Sequence, residues 1–185
     1  MSELGQSIEA AVATVQSGGV LIYPTEGVFG IGCDFNQQKA VMKLLNLKQR
    51  SVDQGLVLIA SHIEQILPLI KPTEKSHLAR ALKTWPGHHT WVFPNSTLTP
   101  EWITGSHSSV AVRVSANSTV KSLCDHLGHA LVSTSANLTG QITPNNCRDI
   151  QNIWGGQIDY YLDLPLGNAK QPSTIRLAST GQQLR

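Results

Sequence analysis

Four groups of polar side chains stand at or near the ends of apolar segments, which is where α/β proteins place their ligands. They are Thr25, the pair Lys48 and Arg50, Arg113, and the run from Ser133 to Asn137. Together they offer hydroxyls, one amide and three fixed cations, with few carboxylates. Such a set suits a polyanion and a small carboxylate ligand better than it suits a cage for a metal ion.

Each group also has an interpretation without a ligand, and the residues alone leave both open. Lys48 and Arg50 are compatible with a solvated helix C-terminus, where cations interact favourably with the helix dipole. The hydroxyls of residues 133–137 are compatible with a turn whose side chains bond their own backbone. The recurrence of polar groups at element ends is what favours a binding site.

The stretch LIYPTEGVFGIG, residues 21–32, is the centre of the predicted site. Its apolar start suits a buried strand, and Pro24 should end regular pairing because proline cannot donate to a sheet ladder. Thr25 and Glu26 follow, and then glycines that allow turns or a close approach to a ligand. The glycine order is not a dinucleotide fingerprint, and the chain has no phosphate-loop motif. A strand, a turn and a second strand without any ligand is the alternative.

Other kinds of site have weaker support. Ser135 lacks the G-x-S-x-G context of a nucleophile, and adjacent His88 and His89 are a poor metal pair. Glu26 suits a base or a magnesium ligand, or is merely exposed. The three cysteines form no C-x-x-C pair, and burial as small apolar residues is expected for them.

Composition places the chain among ordinary globular proteins. Of its 185 residues 41% are hydrophobic and 14% are charged, and the net charge of +2 is too small to indicate nucleic-acid binding by itself. The sequence has no apolar stretch of membrane-spanning length and no signal peptide at its start. We therefore expect a cytoplasmic protein without a membrane segment.

Apolar periodicity predicts strands that alternate with helices, which is typical of a mixed α/β sheet covered by helices. One helix carries Leu4, Ile8, Val12 and Val15, a second is capped by Asn36, a third opens at the capping box of residues 61–64, and a fourth is capped by Thr73. Residues 94–107 read as a loop, and Gly128 ends a helix over 120–127. The predicted strands are 20–23, 55–60, 90–93, 110–114, 130–133, 158–162 and 174–177.

Six blocks of the sequence, in this order, resemble the YrdC/TsaC family of threonylcarbamoyl-AMP synthases. They are YPTEGVFGIG (23–32), LKQRSVDQGLVLI (47–59), WPGHHTWVF (85–93), SVAVRV (109–114), LVSTSANLTG (131–140) and PSTIRL (172–177). Each block alone is weak, but the ordered set is specific and spans almost the whole chain. The length is similar to that of the short bacterial form.

The resemblance implies a single YrdC-like domain over residues 1–185, a twisted mixed β-sheet covered by helices with a concave basic ligand cleft. It implies an enzyme that makes threonylcarbamoyl-AMP and pyrophosphate from L-threonine, bicarbonate or CO2, and ATP with Mg²⁺ as the nucleotide's metal. No protein-bound metal is implied. Partner proteins would then transfer the threonylcarbamoyl group to adenosine 37 of tRNAs that read codons beginning with A.

Site residues follow from the resemblance by motif. Thr25, Arg113 and Ser173 match the family's threonine-binding positions, and Lys48 and Arg50 match its catalytic phosphate-binding pair. The family's other ATP contacts fall on Gln54, Ser109, Ser133, Ser135, Asn137 and Thr143. The sequence departs from the family's pattern in several places: Gly27, Phe29, Ser51, Gln54, Gly55, Ile59 and His88.

A rival prediction from a different class is a module that binds double-stranded RNA or tRNA without catalysis. A concave basic cleft suits an RNA backbone as well as a triphosphate. However, an RNA groove is expected to carry more Lys and Arg than the 14 of this chain. The hydroxyl-rich turn that accompanies Lys48 and Arg50 favours the enzyme.

Overall fold

A computed structural model describes residues 3–138, 140–169 and 171–185. Its centre is a nine-stranded mixed sheet in the order β1-β8-β2-β3-β7-β4-β6-β5-β9. The strands are β1 Glu3–Gly5, β2 Leu21–Pro24, β3 Phe29–Gly32, β4 Val57–Ala60, β5 His89–Pro94, β6 Ser109–Val114, β7 Leu131–Ser135, β8 Tyr160–Leu162 and β9 Thr174–Leu177. The helices are α1 Ile8–Gln16, α2 Gln38–Leu47, α3 Lys75–Leu82, α4 Glu101–Thr104, α5 Ser118–Leu127 and α6 Cys147–Trp154.

Parallel and antiparallel pairings are combined in this sheet. β2 and β3 form an antiparallel hairpin, β3 pairs antiparallel with β7, and β7 pairs antiparallel with β4. The pairs β1–β8, β8–β2, β4–β6 and β5–β9 are parallel. The predicted mixed α/β sheet is confirmed. β8 and β9 follow one another in the chain but lie near opposite ends of the strand order.

Two apolar clusters cover the two faces of the sheet. In β2 the side chains alternate between them: Leu21 and Tyr23 pack with α1 and α5, and Ile22 packs with residues of α2 and α6. Alternation follows from the two-residue period of a strand. Both faces of β2 are therefore apolar, as the unbroken run from Val20 to Tyr23 predicts for a strand covered on both sides.

The starts of several predicted helices are wrong, in part because short polar side chains form hydrogen bonds other than those that cap a helix. Leu4 lies in β1 and not in the first helix. Asn36 does not cap α2; its side chain and backbone both donate to Asp34 Oδ1, and the residue before the helix is Gln37. Thr73 does not cap α3, whose N-cap position is Glu74.

Three further segments differ from their predictions. The capping box at residues 61–64 does not open an α-helix. Ser61 instead donates twice to Gln65 Oε1, and only a short 3₁₀ turn, Ile63–Gln65, forms there. The predicted loop over 94–107 contains α4. Helix α6 was not predicted at all, although Cys147, Ile150 and Trp154 are spaced as a buried helical stripe and Asn146 caps it.

Other local expectations are confirmed. Gly128 ends α5 in the left-handed conformation, at φ 76°. All three cysteines are buried and unpaired. Within the part of the chain that the structure describes, no helix is long and apolar enough to span a bilayer.

Gly32 allows β3 to approach β7 closely, and this contact generates the first prediction. A Cβ atom at Gly32 would lie 2.2 Å from the Val132 carbonyl oxygen, a backbone atom that cannot move aside cheaply. We expect Gly32→Ala to lower the free energy of unfolding by about 2–4 kcal/mol, as overpacking and backbone shifts do. Chemical denaturation measures it.

The matched control is Gly156→Ala, because no atom lies within 4 Å of a Cβ built there. We expect this variant to change stability by less than about 0.5 kcal/mol. Equal stability of the two variants would contradict the proposed role of the β3–β7 approach.

Candidate active site

A cavity of about 200 Å³ opens between the β2–β3 turn, the ends of β6 and β7, and β9. Cations and hydroxyls dominate the polar part of its wall. The arginines are Arg50, Arg113 and Arg185, and the hydroxyl residues are Thr25, Thr90, Ser133, Thr134, Ser135 and Ser173. Six of the residues predicted for the site therefore meet in one place: Thr25, Arg50, Arg113, Ser133, Ser135 and Ser173.

Thr25 lies directly after β2, where Pro24 ends the strand. Its hydroxyl donates to the Val28 carbonyl oxygen at 2.7 Å, and its backbone N–H donates to the same oxygen. The side chain is buried, at 3% exposure. Because the hydroxyl hydrogen is already used, Thr25 offers a ligand only oxygen lone pairs, which accept from an amine or a hydroxyl.

Arg113 lies in β6 and is held by two groups. Its Nε donates to the Gly87 carbonyl oxygen at 3.1 Å, and its Nη2 forms an ion pair with Glu26. Glu26 also accepts from Ser115 Oγ at 2.8 Å and from the Ala116 N–H at 3.0 Å. Both Glu26 oxygens thus have donors, so the exposed Glu26 considered from the sequence is wrong.

Burial and charge act on Glu26 in opposite directions. Burial alone would raise the pKa of its carboxyl group, but the Arg113 charge and the hydrogen bonds outweigh it, and the pKa is lowered. Glu26 is accordingly a carboxylate across the physiological pH range.

The opposite wall of the cavity brings in Arg185, which the sequence analysis missed. Residues after β9 fold back on it: Leu184 N donates to the Ile175 carbonyl at 2.7 Å, and Ile175 N donates to the Arg185 carbonyl at 3.1 Å. Arg185 Nη2 then donates to the Ser173 carbonyl at 3.0 Å. No local sequence pattern predicts the position of Arg185, because the fold-back depends on pairing with β9. Ser173 is held from its other side, since its hydroxyl lies 2.9 Å from Thr90 Oγ1.

Arg50 is not the solvated helix end considered from the sequence. Its Nη2 donates to the Gly55 carbonyl at 2.8 Å, and its Nε is closed to solvent without a hydrogen-bond partner among the described residues. Burial, together with repulsion from Arg185, lowers the pKa of Arg50. Within the described ranges neither Arg50 nor Arg185 forms an ion pair with an Asp or Glu side chain, so no side-chain carboxylate occupies these two guanidinium groups.

Lys48 supports the turn beside the cavity and is not among the residues that line it. Its Nζ donates to the Ser135 carbonyl at 2.8 Å and to the Asn137 carbonyl, and it lies 5.9 Å from the centre of the Trp154 ring. Burial, with a smaller contribution from Arg50, lowers the pKa of Lys48 to about 8. Asn137 completes the turn, because its Oδ1 accepts from Ser135 Oγ at 2.5 Å.

Two more predicted ATP contacts line a second cavity of about 340 Å³. They are Gln54 and Ser109, and Arg50 lines both cavities. Leu56, Val57 and Ile175 are also shared, so the two spaces are neighbours. Thr143 lies in the segment after β7 and lines neither cavity. Ile59, one of the positions that depart from the family's pattern, lines the first cavity with an apolar side chain.

The arrangement of charge is suited to anions. Among the residues that the structure describes, no group of three or more His, Cys, Asp or Glu side chains is placed to hold a metal ion. Glu26 is paired with Arg113, and its two oxygens already accept from three groups. One end of the cavity, at Arg113, offers a guanidinium that is paired with a carboxylate. The other end, at Arg50 and Arg185, offers two guanidinium groups that have no side-chain ion pair among the described residues.

The Sua5/YciO/YrdC family model, described as "Telomere recombination", matches residues 13–185. The chain belongs to this family. It is 44% identical to the threonylcarbamoyl-AMP synthase of Coxiella burnetii (strain RSA 493 / Nine Mile phase I), over 100% of both chains. It is also 44% identical to the threonylcarbamoyl-AMP synthase of Pseudoalteromonas translucida (strain TAC 125), over 97% of both chains.

Solved structures of family members have the same fold. P. abyssi Sua5 complexed with L-threonine superposes with a TM-score of 0.89 at 25% identity; the match covers 99% of this chain and 56% of that one. This chain therefore spans little more than half of that protein. E. coli YciO superposes with a TM-score of 0.84 at 21% identity, covering 96% and 90% of the two chains.

The lowered pKa of Lys48 generates the second prediction. Lys48 is charged below about pH 8 and loses its charge as the pH rises through that value. Anion binding in the cavity should therefore weaken above it. We expect the dissociation constant of sulfate, whose charge does not change in this range, to increase roughly three- to ten-fold between about pH 7 and about pH 9.5.

The control variant is Lys48→Arg, which keeps its charge across this range. Isothermal titration of both proteins with sulfate tests the assignment, and we expect a much smaller pH dependence in the variant. The same pH dependence in both proteins would show that another group is responsible.

Proposed function

We propose that this protein is a threonylcarbamoyl-AMP synthase, which forms L-threonylcarbamoyl-AMP and pyrophosphate from L-threonine, bicarbonate or CO2, and ATP. The observation that carries the proposal is the division of one cavity into two electrostatic ends. Arg113 is paired with Glu26 at one end, and at the other end Arg50 and Arg185 form no ion pair with an Asp or Glu side chain among the described residues. The full-length relatives of the same name support it.

The amino acid binds at the Arg113 end. The guanidinium receives the carboxylate of threonine, and the Thr25 hydroxyl accepts from its amine or side-chain hydroxyl. Ser173 lies on the cavity wall between Thr90 and Arg185. A relative that was solved with L-threonine supports an amino-acid ligand in this family.

The triphosphate binds at the Arg50 and Arg185 end. The two guanidinium forks hold phosphate oxygens, and the Ser133 hydroxyl donates to them. Ser135, whose hydroxyl already donates to Asn137 Oδ1, lies beside them in the cavity wall. The Lys48 charge acts from behind the turn that carries Ser135. The remaining positions proposed to contact ATP are Gln54, Ser109, Asn137 and Thr143. Mg²⁺ arrives with the nucleotide and is held by its phosphates, since the cavity wall supplies cations and hydroxyls in place of free carboxylates.

The reaction needs no covalent enzyme intermediate. The neutral threonine amine forms a bond to the carbon of CO2 and releases a proton to solvent, or it reacts with bicarbonate and water leaves; either route gives a carbamate. A carbamate oxygen then attacks the α-phosphorus of ATP. A bond forms between that oxygen and phosphorus, the bond from the α-phosphorus to the bridging oxygen breaks, and pyrophosphate leaves with the bond's electron pair. Positioning of the two substrates and stabilisation of charge on the phosphates by Arg50 and Arg185 lower the barrier.

The product then serves tRNA modification. Partner proteins transfer the threonylcarbamoyl group to adenosine 37 of tRNAs that read codons beginning with A, which fits the cytoplasmic location expected from the sequence. Binding of tRNA or double-stranded RNA to this protein is a separate possibility, compatible with its basic cavity.

The deciding experiment is incubation of the protein with ATP, Mg²⁺, threonine and bicarbonate. We expect pyrophosphate release that depends on threonine, with threonylcarbamoyl-AMP detected by mass spectrometry. Thermal denaturation adds a test of binding: ATP and threonine at about 100 times their dissociation constants should stabilise the protein by roughly 2.7 kcal/mol each. Stabilisation by RNA alone, with no pyrophosphate above a no-threonine control, would favour the non-catalytic RNA-binding module.

Arg50 generates the third prediction. Its planar fork can hold two phosphate oxygens at once, which a lysine ammonium cannot do. We expect Arg50→Lys to reduce pyrophosphate release about ten- to hundred-fold, the cost of one charge-assisted hydrogen bond, and Arg50→Ala to reduce it further. Because Arg50 also donates to the Gly55 carbonyl, stability should fall by about 1 kcal/mol.

Arg148→Ala is the matched control, since Arg148 is exposed on α6 and lines neither cavity. We expect its activity and melting temperature to stay near those of the wild type. Full activity of Arg50→Ala would remove Arg50 from the site, and a collapse of its melting temperature would make its role structural.

A further inference from the structure

The two bonds from Arg113 to Gly87 and Glu26 fix the plane of its guanidinium. This group has five N–H donors, of which Nε–H points to the Gly87 carbonyl and one Nη2–H points to Glu26. Among the described residues, no hydrogen-bond partner is found for Nη1. The end edge of the fork, formed by Nη1 and the second Nη2 hydrogen, is therefore left for a bidentate carboxylate.

Glu26 is itself held from several sides. Its carboxylate accepts from Ser115 and Ala116, which follow β6 directly, so Glu26 and Arg113 are tied to the same strand end. Its backbone carbonyl accepts from Ala169 N at 2.8 Å. Gly167 passes so close that a Cβ atom there would lie 2.7 Å from Glu26 Cα. These contacts leave the carboxylate little freedom to move away from Arg113.

Charge distinguishes Arg113 from the other two arginines of the cavity. A phosphate group carries more negative charge than a carboxylate and is attracted more strongly by an uncompensated cation. Arg50 and Arg185 form no ion pair with an Asp or Glu side chain within the described residues, and Arg113 forms one. The amino-acid end of the cavity is thereby close to neutral, and it retains directed N–H donors without a strong attraction for polyanions.

From this geometry we propose that Glu26 is a positioning residue with two effects. It orients Arg113 for the carboxylate of the amino-acid substrate, and it keeps phosphate groups out of that end of the cavity. The inference rests on the proposed function, because it assumes that an amino acid and a nucleoside triphosphate bind side by side. It assigns no contact between Glu26 and either substrate.

The test is Glu26→Gln, which keeps the size of the side chain and an acceptor for Ser115 and Ala116 but removes the charge. We expect the KM for threonine to rise about ten-fold or more, because one charge-assisted hydrogen bond that fixes Arg113 is lost. The KM for ATP should stay within about two-fold of the wild-type value. Inorganic phosphate should become a competitive inhibitor against threonine, with an inhibition constant roughly ten-fold lower than in the wild type.

Asp159→Asn is the matched control. Asp159 also accepts from one cation, Lys43 Nζ at 2.8 Å, and from one backbone N–H, that of Val20 at 2.6 Å, but it does not line the cavity. We expect its KM values and its phosphate inhibition to match the wild type. If Glu26→Gln fails to fold, Ser115→Ala weakens the same support more gently, and a rise of about two- to five-fold in the KM for threonine is expected.

An unchanged KM for threonine in Glu26→Gln would overturn the proposal. So would equal increases in the KM values for threonine and ATP together with a lower melting temperature. If Glu26→Gln is unfolded, an unchanged KM for threonine in Ser115→Ala would overturn it. Calorimetric titration of threonine and phosphate separates this inference from the proposed function, because it needs no turnover. A wild type that binds threonine and forms no product would refute the proposed reaction, and the titrations of Glu26→Gln would still decide the role of Glu26.

Discussion

Three arginines, Arg50, Arg113 and Arg185, line one small cavity, and the burial of their guanidinium groups has an electrostatic cost that the surrounding structure must offset. A buried cation is stable only if its N–H groups have acceptors and its position is enforced by rigid structure. Here the acceptors are largely backbone carbonyls, those of Gly55, Gly87 and Ser173. Carbonyl oxygens satisfy the hydrogen bonds without cancelling the charge, so the Arg50 and Arg185 end of the cavity can still attract an anion.

This cavity is assembled from segments that are far apart in the chain, and that distance limits what the sequence predicts. Thr25, Arg113 and Ser133 could be predicted because each follows or lies in a clear apolar strand. Arg185 could not, because its position depends on a fold-back onto β9 that has no local signature. The sequence predicts Lys48 beside the hydroxyl-rich turn. Its Nζ donates to the Ser135 and Asn137 carbonyls of that turn, and this contact depends on tertiary packing, which local sequence does not predict.

The strands and helices could be predicted where apolar periodicity was strong. Helix starts that depend on short polar side chains were predicted less well. The strands from β4 to β9 overlap their predicted ranges, and α5 ends at its glycine. Asn36 and Ser61 satisfied the patterns for helix starts but bond to Asp34 and Gln65, since such side chains have several local partners of similar energy. His88, one of the positions that depart from the family's pattern, donates from Nε2 to the Gln171 carbonyl at 2.6 Å. It thereby anchors the segment that leads into Ser173.

Both faces of β2 are buried. The alternation of polar and apolar residues therefore does not determine the register of β2 against β3. In a half-exposed strand, a slip of one residue would turn apolar side chains to water and would be rejected for that reason. A slip of β2 against β3 would exchange apolar residues for apolar residues. Shape fixes the register instead, because Tyr23 pairs with Gly30 and its ring lies over both β3 glycines, where Cβ atoms would approach it to 3.0 Å at Gly30 and 2.9 Å at Gly32. If β2 shifted by one residue, the Tyr23 ring would meet a side chain of β3. The lack of a side chain at Gly30 and Gly32 therefore determines which residues of the hairpin face the cavity.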